Sequence, residues 1–216
     1  RRGNSILVTY LLFLLATTGC TTQTIRTTTV KPIMSVVESI PDDLLLDVNV
    51  VIFDPGIDNL DPKRTTTTPG IRRAEGHYIA SRLKQTLESA KHWGAVRIVL
   101  DRGHEVDVEV SGQILQSDGQ TLEIEVHVQD STNRPWFTHT YKEQVSRFAY
   151  DAEIRRRQEP FQNVYNRVAN DMQKHLARQD LNALRRIRTV NELRFARRFA
   201  LDAFSDYLDS DAKEHY

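Results

Sequence analysis

Cys20 carries the most distinctive chemistry in the chain, because it is the only thiol among 216 residues. A thiol can ligate metal, exchange disulfides, act as a nucleophile or be alkylated. One cysteine closes no intramolecular disulfide and builds no thiolate zinc cluster. Its surroundings favour alkylation. Arg1 and Arg2 lead into an apolar run over residues 6–16, and the small residues Ala16, Thr17, Thr18 and Gly19 come just before the thiol. A basic start, a short apolar stretch and a small-residue exit are the plan of a signal peptide. The run is shorter than the ~20 residues that a spanning helix needs.

That order resembles the lipobox of bacterial lipoproteins, in which a small residue precedes a cysteine that receives diacylglycerol and becomes the mature N-terminus. Thr17 stands where Leu is most often found. The resemblance implies that residues 1–19 are removed, that Cys20 is lipidated, and that several acyl chains supply anchoring a single chain does not. Thr21, in place of the Asp that tends to retain lipoproteins in the inner membrane, implies the outer membrane, with the protein facing the periplasm. The alternative for Cys20 is a buried thiol at the end of a core helix.

The other groups capable of chemistry are scattered. Asp54, Asp58 and Asp61 follow an apolar run, but their spacing does not fit a calcium loop, and turn formation explains them as well. The histidines make no metal-binding spacing; His127 and His139, on neighbouring predicted strands, are the pair expected to be able to meet. Ser111-Gly112 lacks the surrounding glycine pattern of a nucleophile elbow. There is no Gly-rich phosphate loop. Arg155-Arg156-Arg157 reads as a solvated helix start or a contact for an anionic partner. No catalytic residue, metal site or cofactor is expected. Lys and Arg number 29, as do Asp and Glu, so the whole chain has no pull toward nucleic acid.

The elements that position these groups form an α+β domain, a mainly antiparallel sheet with helices on one face, in the order β-α-β-β-β-β-α-α. The expected division is a signal peptide over 1–19, the lipidated Cys20 and a Thr-rich tether over 20–43, a periplasmic domain over 44–178 and a helical extension over 179–216. A buried strand is predicted over 47–54 and a loop over 55–70. A helix over 71–92 is expected to bury Ile71, Ala74, Tyr78, Ile79, Leu83, Leu87 and Ala90, with Arg72, Arg73, Arg82, Lys84 and Glu88 in water and Gly94 as its stop. Strands follow over 95–100, 106–115, 122–128 and 135–141, with Asp118-Gly119 and residues 130–133 as turns. Helices over 161–176 and 181–208 complete the chain, the last capped by Asp180.

The stretch VNVVIF, the helix ending LKQTLESAKHWGAVRIVL and the segment VDVEVSGQILQSDGQTLEIEVHVQDSTNRPWFTHTY resemble the small α/β domain of envelope proteins. Those are the amino-terminal domain of TolB, the curli-secretion lipoprotein and the lipoproteins that activate penicillin-binding proteins. The likeness covers residues 47–176 and rests on element order with Gly112 and Asp130. It implies a periplasmic domain that binds another protein, and no catalytic residues. The last helix either closes the core or offers a candidate contact. Arg185, Arg194, Arg197, Arg198, Phe199 and Phe204 form a basic, aromatic surface ahead of an acidic end, suited either to closing the core or to meeting a partner or a second copy. The partners expected are therefore the outer membrane and another envelope protein, or the chain itself. The alternatives are a periplasmic hydrolase of glycan and a self-associating structural lipoprotein.

Overall fold

The β-branched run Val48–Val51 buries all four of its residues, which requires neighbours on both edges and cover on both faces. This strand, β1, lies inside a five-stranded sheet of order β2-β1-β3-β4-β5. The remaining elements are α1 (Pro69–Ala90), β2 (Val96–Val99), β3 (Val108–Ser117), β4 (Thr121–Asp130), β5 (Pro135–Gln144), α2 (Gln162–Leu176) and α3 (Leu181–Phe199). This computed structural model describes residues 32–34, 40–59, 67–103, 105–150 and 159–200. The fold is α+β with the element order expected.

β1 runs parallel to both β2 and β3, whereas β3–β4 and β4–β5 are antiparallel. A parallel pair needs a crossover, and α1 supplies it between β1 and β2. At the β3–β4 hairpin, Asp118 Oδ1 accepts the amides of Gln120 and Thr121 at 2.9 and 2.7 Å, with Gly119 at φ 84°. At the next turn, Asp130 Oδ1 accepts Thr132 N at 2.8 Å, and its Oδ2 takes the indole N–H of buried Trp136 at 3.0 Å.

The period-two alternation of the strands separates two faces. Val48, Val50, Val108, Val110, Ile124, Val126 and Val128 point toward the helices and are fully buried with Leu83, Leu87, Val164, Val168 and Met172. Glu109, Ser111, Gln113, Glu125, His127 and Gln129 alternate onto the other face. Gly112 is required where Phe53 crosses β3. A Cβ there would lie 2.4 Å from both the Phe53 ring and the Glu125 carbonyl.

Three details differ from the sequence expectation. The buried face of α1 consists of Arg72, Gly76, Ile79, Ala80, Leu83, Thr86 and Leu87, while Ile71 and Tyr78 are about half exposed and Ala74 is exposed as well. Gly76 sets this rotation. A Cβ there would fall 2.4 Å from the Phe53 carbonyl, so the helix approaches the β1 exit through its glycine and carries Arg72 inward one turn earlier. The stop of α1 is Lys91, left-handed at φ 57° with its amide donating to Glu88 O, and not Gly94. Gly94 instead leaves room for the Asp47 carboxylate, whose Oδ1 would be 2.3 Å from a Cβ. Finally, α3 ends at Phe199, where Ala200 leaves helical dihedrals. The rest of the predicted 181–208 helix lies outside the described residues.

Candidate functional site

Cys20, Phe204 and Arg155-Arg156-Arg157 lie outside the described residues, as does Asp61. Asp54 and Asp58 serve the turn. Asp54 bridges to Gln113 on β3 and its Oδ1 accepts Gly56 N at 2.8 Å, and Asp58 sits in the short 3-10 helix Ile57–Asn59. His127 and His139 do not meet. His127 is on the polar face, with Nδ1 2.8 Å from Thr138 Oγ1. His139 pairs with Val126, so it lies on the helix face, stacked on Phe137 at 4.9 Å and 3.7 Å from Asp171. The two neighbouring strands place them in register one residue apart, and one residue is a change of face.

The polar face holds a groove of about 380 Å³ beside Asp54, Asp101, Arg102, Ser111, Glu125 and His127. Ser111 faces His127 across the β3–β4 ladder, a geometry that could suggest a nucleophile and its base. Each is already engaged, Ser111 Oγ by the Arg102 guanidinium and His127 by Thr138 and Gln129. Glu109, nearly inaccessible on the same face, accepts Gly103 N at 3.0 Å. The groove is thus the place where the 100–107 loop is stitched down over the sheet. Among the described residues, no group of three His, Cys, Asp or Glu side chains could hold a metal ion.

The predicted partner helix has one face bound and one face outward. Leu184, Ile187 and Val190 are buried. The Ser131 hydroxyl donates to Ile187 O at 2.5 Å. The deepest attachment is Asp107, which accepts Asp47 N and Asn191 Nδ2, each at 2.9 Å, and lies 3.6 Å from Arg188. Burial pushes its carboxyl above the ordinary range, against the opposing pull of these partners. Arg198 folds back to Glu105 at 2.6 Å, and Arg194 and Arg197 are likewise engaged. Arg185 donates to Asn182 at 3.3 Å. The α3 side chain that presents apolar surface outward among these cations is Phe195, 55% exposed; nothing is described of the Phe199 side chain.

No family model matches the chain, and no curated protein matches it. Among the solved structures similar to it are two PelC dodecamers from Paraburkholderia phytofirmans. One, a point variant, is 18% identical with a TM-score of 0.38 over 59% of this chain and 87% of that one. The other is 16% identical with a TM-score of 0.38 over 64% of this chain and 92% of that one.

Sequence reasoning missed two arrangements. The segment before the domain is seated on α2. Asn170 donates from Nδ2 to Pro32 O at 3.1 Å and accepts Met34 N at its Oδ1 at 2.8 Å, while His92 Nε2 lies 3.0 Å from Met34 O. An asparagine on a helix surface gives no signal of this, because the amide reads backbone atoms. The second is the stack of His175 on Trp136, 4.6 Å between ring centroids. Burial, then the Arg178 charge, holds the imidazole below its ordinary pKa. A lowered histidine pKa contributes stability above the unfolded value of about 6.5, and the contribution is lost as pH falls below it. The melting temperature should therefore drop between pH 7.5 and pH 5.5. His175→Phe, which keeps a ring on Trp136, should show a smaller drop, and identical profiles would refute the assignment.

Proposed function

We propose that this chain is a non-enzymatic lipoprotein of the bacterial envelope, anchored through Cys20 in the outer membrane, whose periplasmic domain binds another envelope protein. The observation that carries the reading is the sequence around Cys20, a single thiol placed directly after a signal-length apolar run and small residues. The seating of Pro32 and Met34 on Asn170 supports it. Met34 comes fourteen residue steps after Cys20, a reach of about 50 Å at full extension, so the domain stays near the bilayer. The outward face of α3 supports the binding role, since an exposed aromatic among arginines has the composition of interface anchors.

The test has two parts. Wild type should incorporate a palmitate analogue and sediment with outer membranes, whereas Cys20→Ala should do neither. Equal labelling of both, or of neither, sinks the anchor. A photo-crosslinking residue at position 195 should then capture a distinct envelope polypeptide in intact cells. A self-adduct would favour the self-associating lipoprotein, and no adduct would remove the α3 face from the proposal.

A further inference from the structure

A second cavity, unconnected with the polar groove, opens where the seated 32–34 segment passes the α2–α3 corner. Its volume is about 880 Å³, within the range of small-molecule sites, ~300–1,000 Å³. Its wall is apolar. Ile40, Leu45, Leu176 and Leu184 line it, and at its mouth Met34 and Leu181 are 41% and 47% exposed. Among the described residues, these large apolar side chains stand in water beside a concave apolar wall, the arrangement of a binding surface.

The charges around the mouth are unequal in what they have left to offer. Lys91, Lys174 and Arg178 stand against Asp42 and Asp180. Asp180 is committed to the N-terminus of α3, accepting Ala183 N at 2.7 Å. Lys174 is committed to Asp171 at 2.8 Å. Lys91 and Arg178 make no ion pair among the described residues. Among the described lining residues, two cations without an ion pair face one such acid over an apolar slot, which is the complement of an extended hydrocarbon carrying an anionic head.

We propose that this cavity binds a free long-chain amphiphile with an anionic head, the acyl chain lying along Leu45, Leu176 and Leu184 and the head meeting Lys91 and Arg178. The chain's own anchor fits less well, because a diacylglyceryl thioether has no anionic group to offer those cations. A buried alkyl chain also makes affinity depend on its length, each further methylene tightening binding roughly fourfold until the slot is full.

The full chain, in nanodiscs of zwitterionic phosphatidylcholine, would be labelled with a diazirine-bearing palmitate and the crosslinks mapped by peptide mass spectrometry. Expected are saturable adducts on residues 40–45 and 176–184. They should be competed by palmitate more strongly than by decanoate, and at least tenfold better than by hexadecanol. Leu181→Glu alters an exposed side chain, so folding should survive while labelling falls tenfold or more. Arg178→Glu with Lys91→Glu should abolish the preference for palmitate over hexadecanol while leaving alkyl-length dependence. Non-saturable or scattered adducts, or adducts unchanged by Leu181→Glu, overturn the proposal. A signal that appears only in Cys20→Ala would mean that the chain's own lipid fills the slot, and also overturns it. So would an unlabelled wild type that is a dimer dissociated by Leu181→Glu, since that gives the slot to a second copy.

Discussion

Leu87→Ala is expected to lower the unfolding free energy by about 2–5 kcal/mol, and Lys84→Ala by less than about 0.5 kcal/mol. The two positions are less than one turn apart on α1 and differ in what surrounds them. Leu87 is fully buried in the cluster that joins α1 to the sheet and to α2. Its truncation leaves a void that close-packed neighbours fill only in part. Lys84 makes an ion pair with Glu88 at 2.6 Å on the outer face, and exposed pairs of this kind contribute little. Urea denaturation of both variants at pH 7 is the measurement. Equal losses would mean that α1 is rotated from the orientation described.

Asp107→Ala should be the next most damaging change, about 1–3 kcal/mol in all, because the donors left without a partner are half-buried. The amides of Asp47 and Asn191 both lose their acceptor, and Arg188 loses the carboxylate beside it. Because the lost contacts join α3 to the start of β1, the damage should be local as well as global. Amides at 184–190 should exchange faster in the variant while those of β3 and β4 keep their order of protection. Uniform acceleration along the chain would argue against a latch at this point. The same carboxyl gives a pH signature. Its raised pKa adds stability that is fully present below the unfolded value near 3.9 and is lost as pH rises through the folded value. That component should vanish in Asp107→Ala.

The strands and helices were legible because their signals are local. Alternation in residues 106–110 and 122–128 marks half-buried strands, and Asp118-Gly119 marks the hairpin, without reference to anything distant. The α2 stripe of Phe161, Val164, Tyr165, Val168, Met172 and Leu176 is likewise buried as its spacing implies. The burial of Arg72 is not legible locally, because nothing in its neighbourhood reports that Gly76 abuts the Phe53 carbonyl. A backbone contact with Phe53, 23 residues earlier and just past the end of β1, decides the rotation against the side-chain pattern. The surfaces followed the same rule. The cationic outer face of α3 was readable as composition. Asp107, Asn170 and the slot at the α2–α3 corner arise from segments about 60 to 140 residues apart, and a single sequence does not display such pairings.

The seating of residues 32–34 on Asn170 and His92 also fixes how the molecule would carry a mechanical load. A pull from the N-terminal side does not reach β1 first. It meets the hydrogen bonds that Asn170 and His92 share with the backbone of Pro32 and Met34, which are exposed or half-buried and yield without opening the core. Only after that slack is taken up does tension pass to Leu45, whose carbonyl accepts Arg188 at 2.5 Å, and then to Asp47 and β1. β1 is hydrogen-bonded along both edges, to β2 and β3, so a pull along its axis shears two ladders together rather than unzipping one. The arrangement is a soft spring in series with a stiff clamp. Small displacements of the chain on the N-terminal side are absorbed in the seated segment, and the sheet bears only the forces that exceed it.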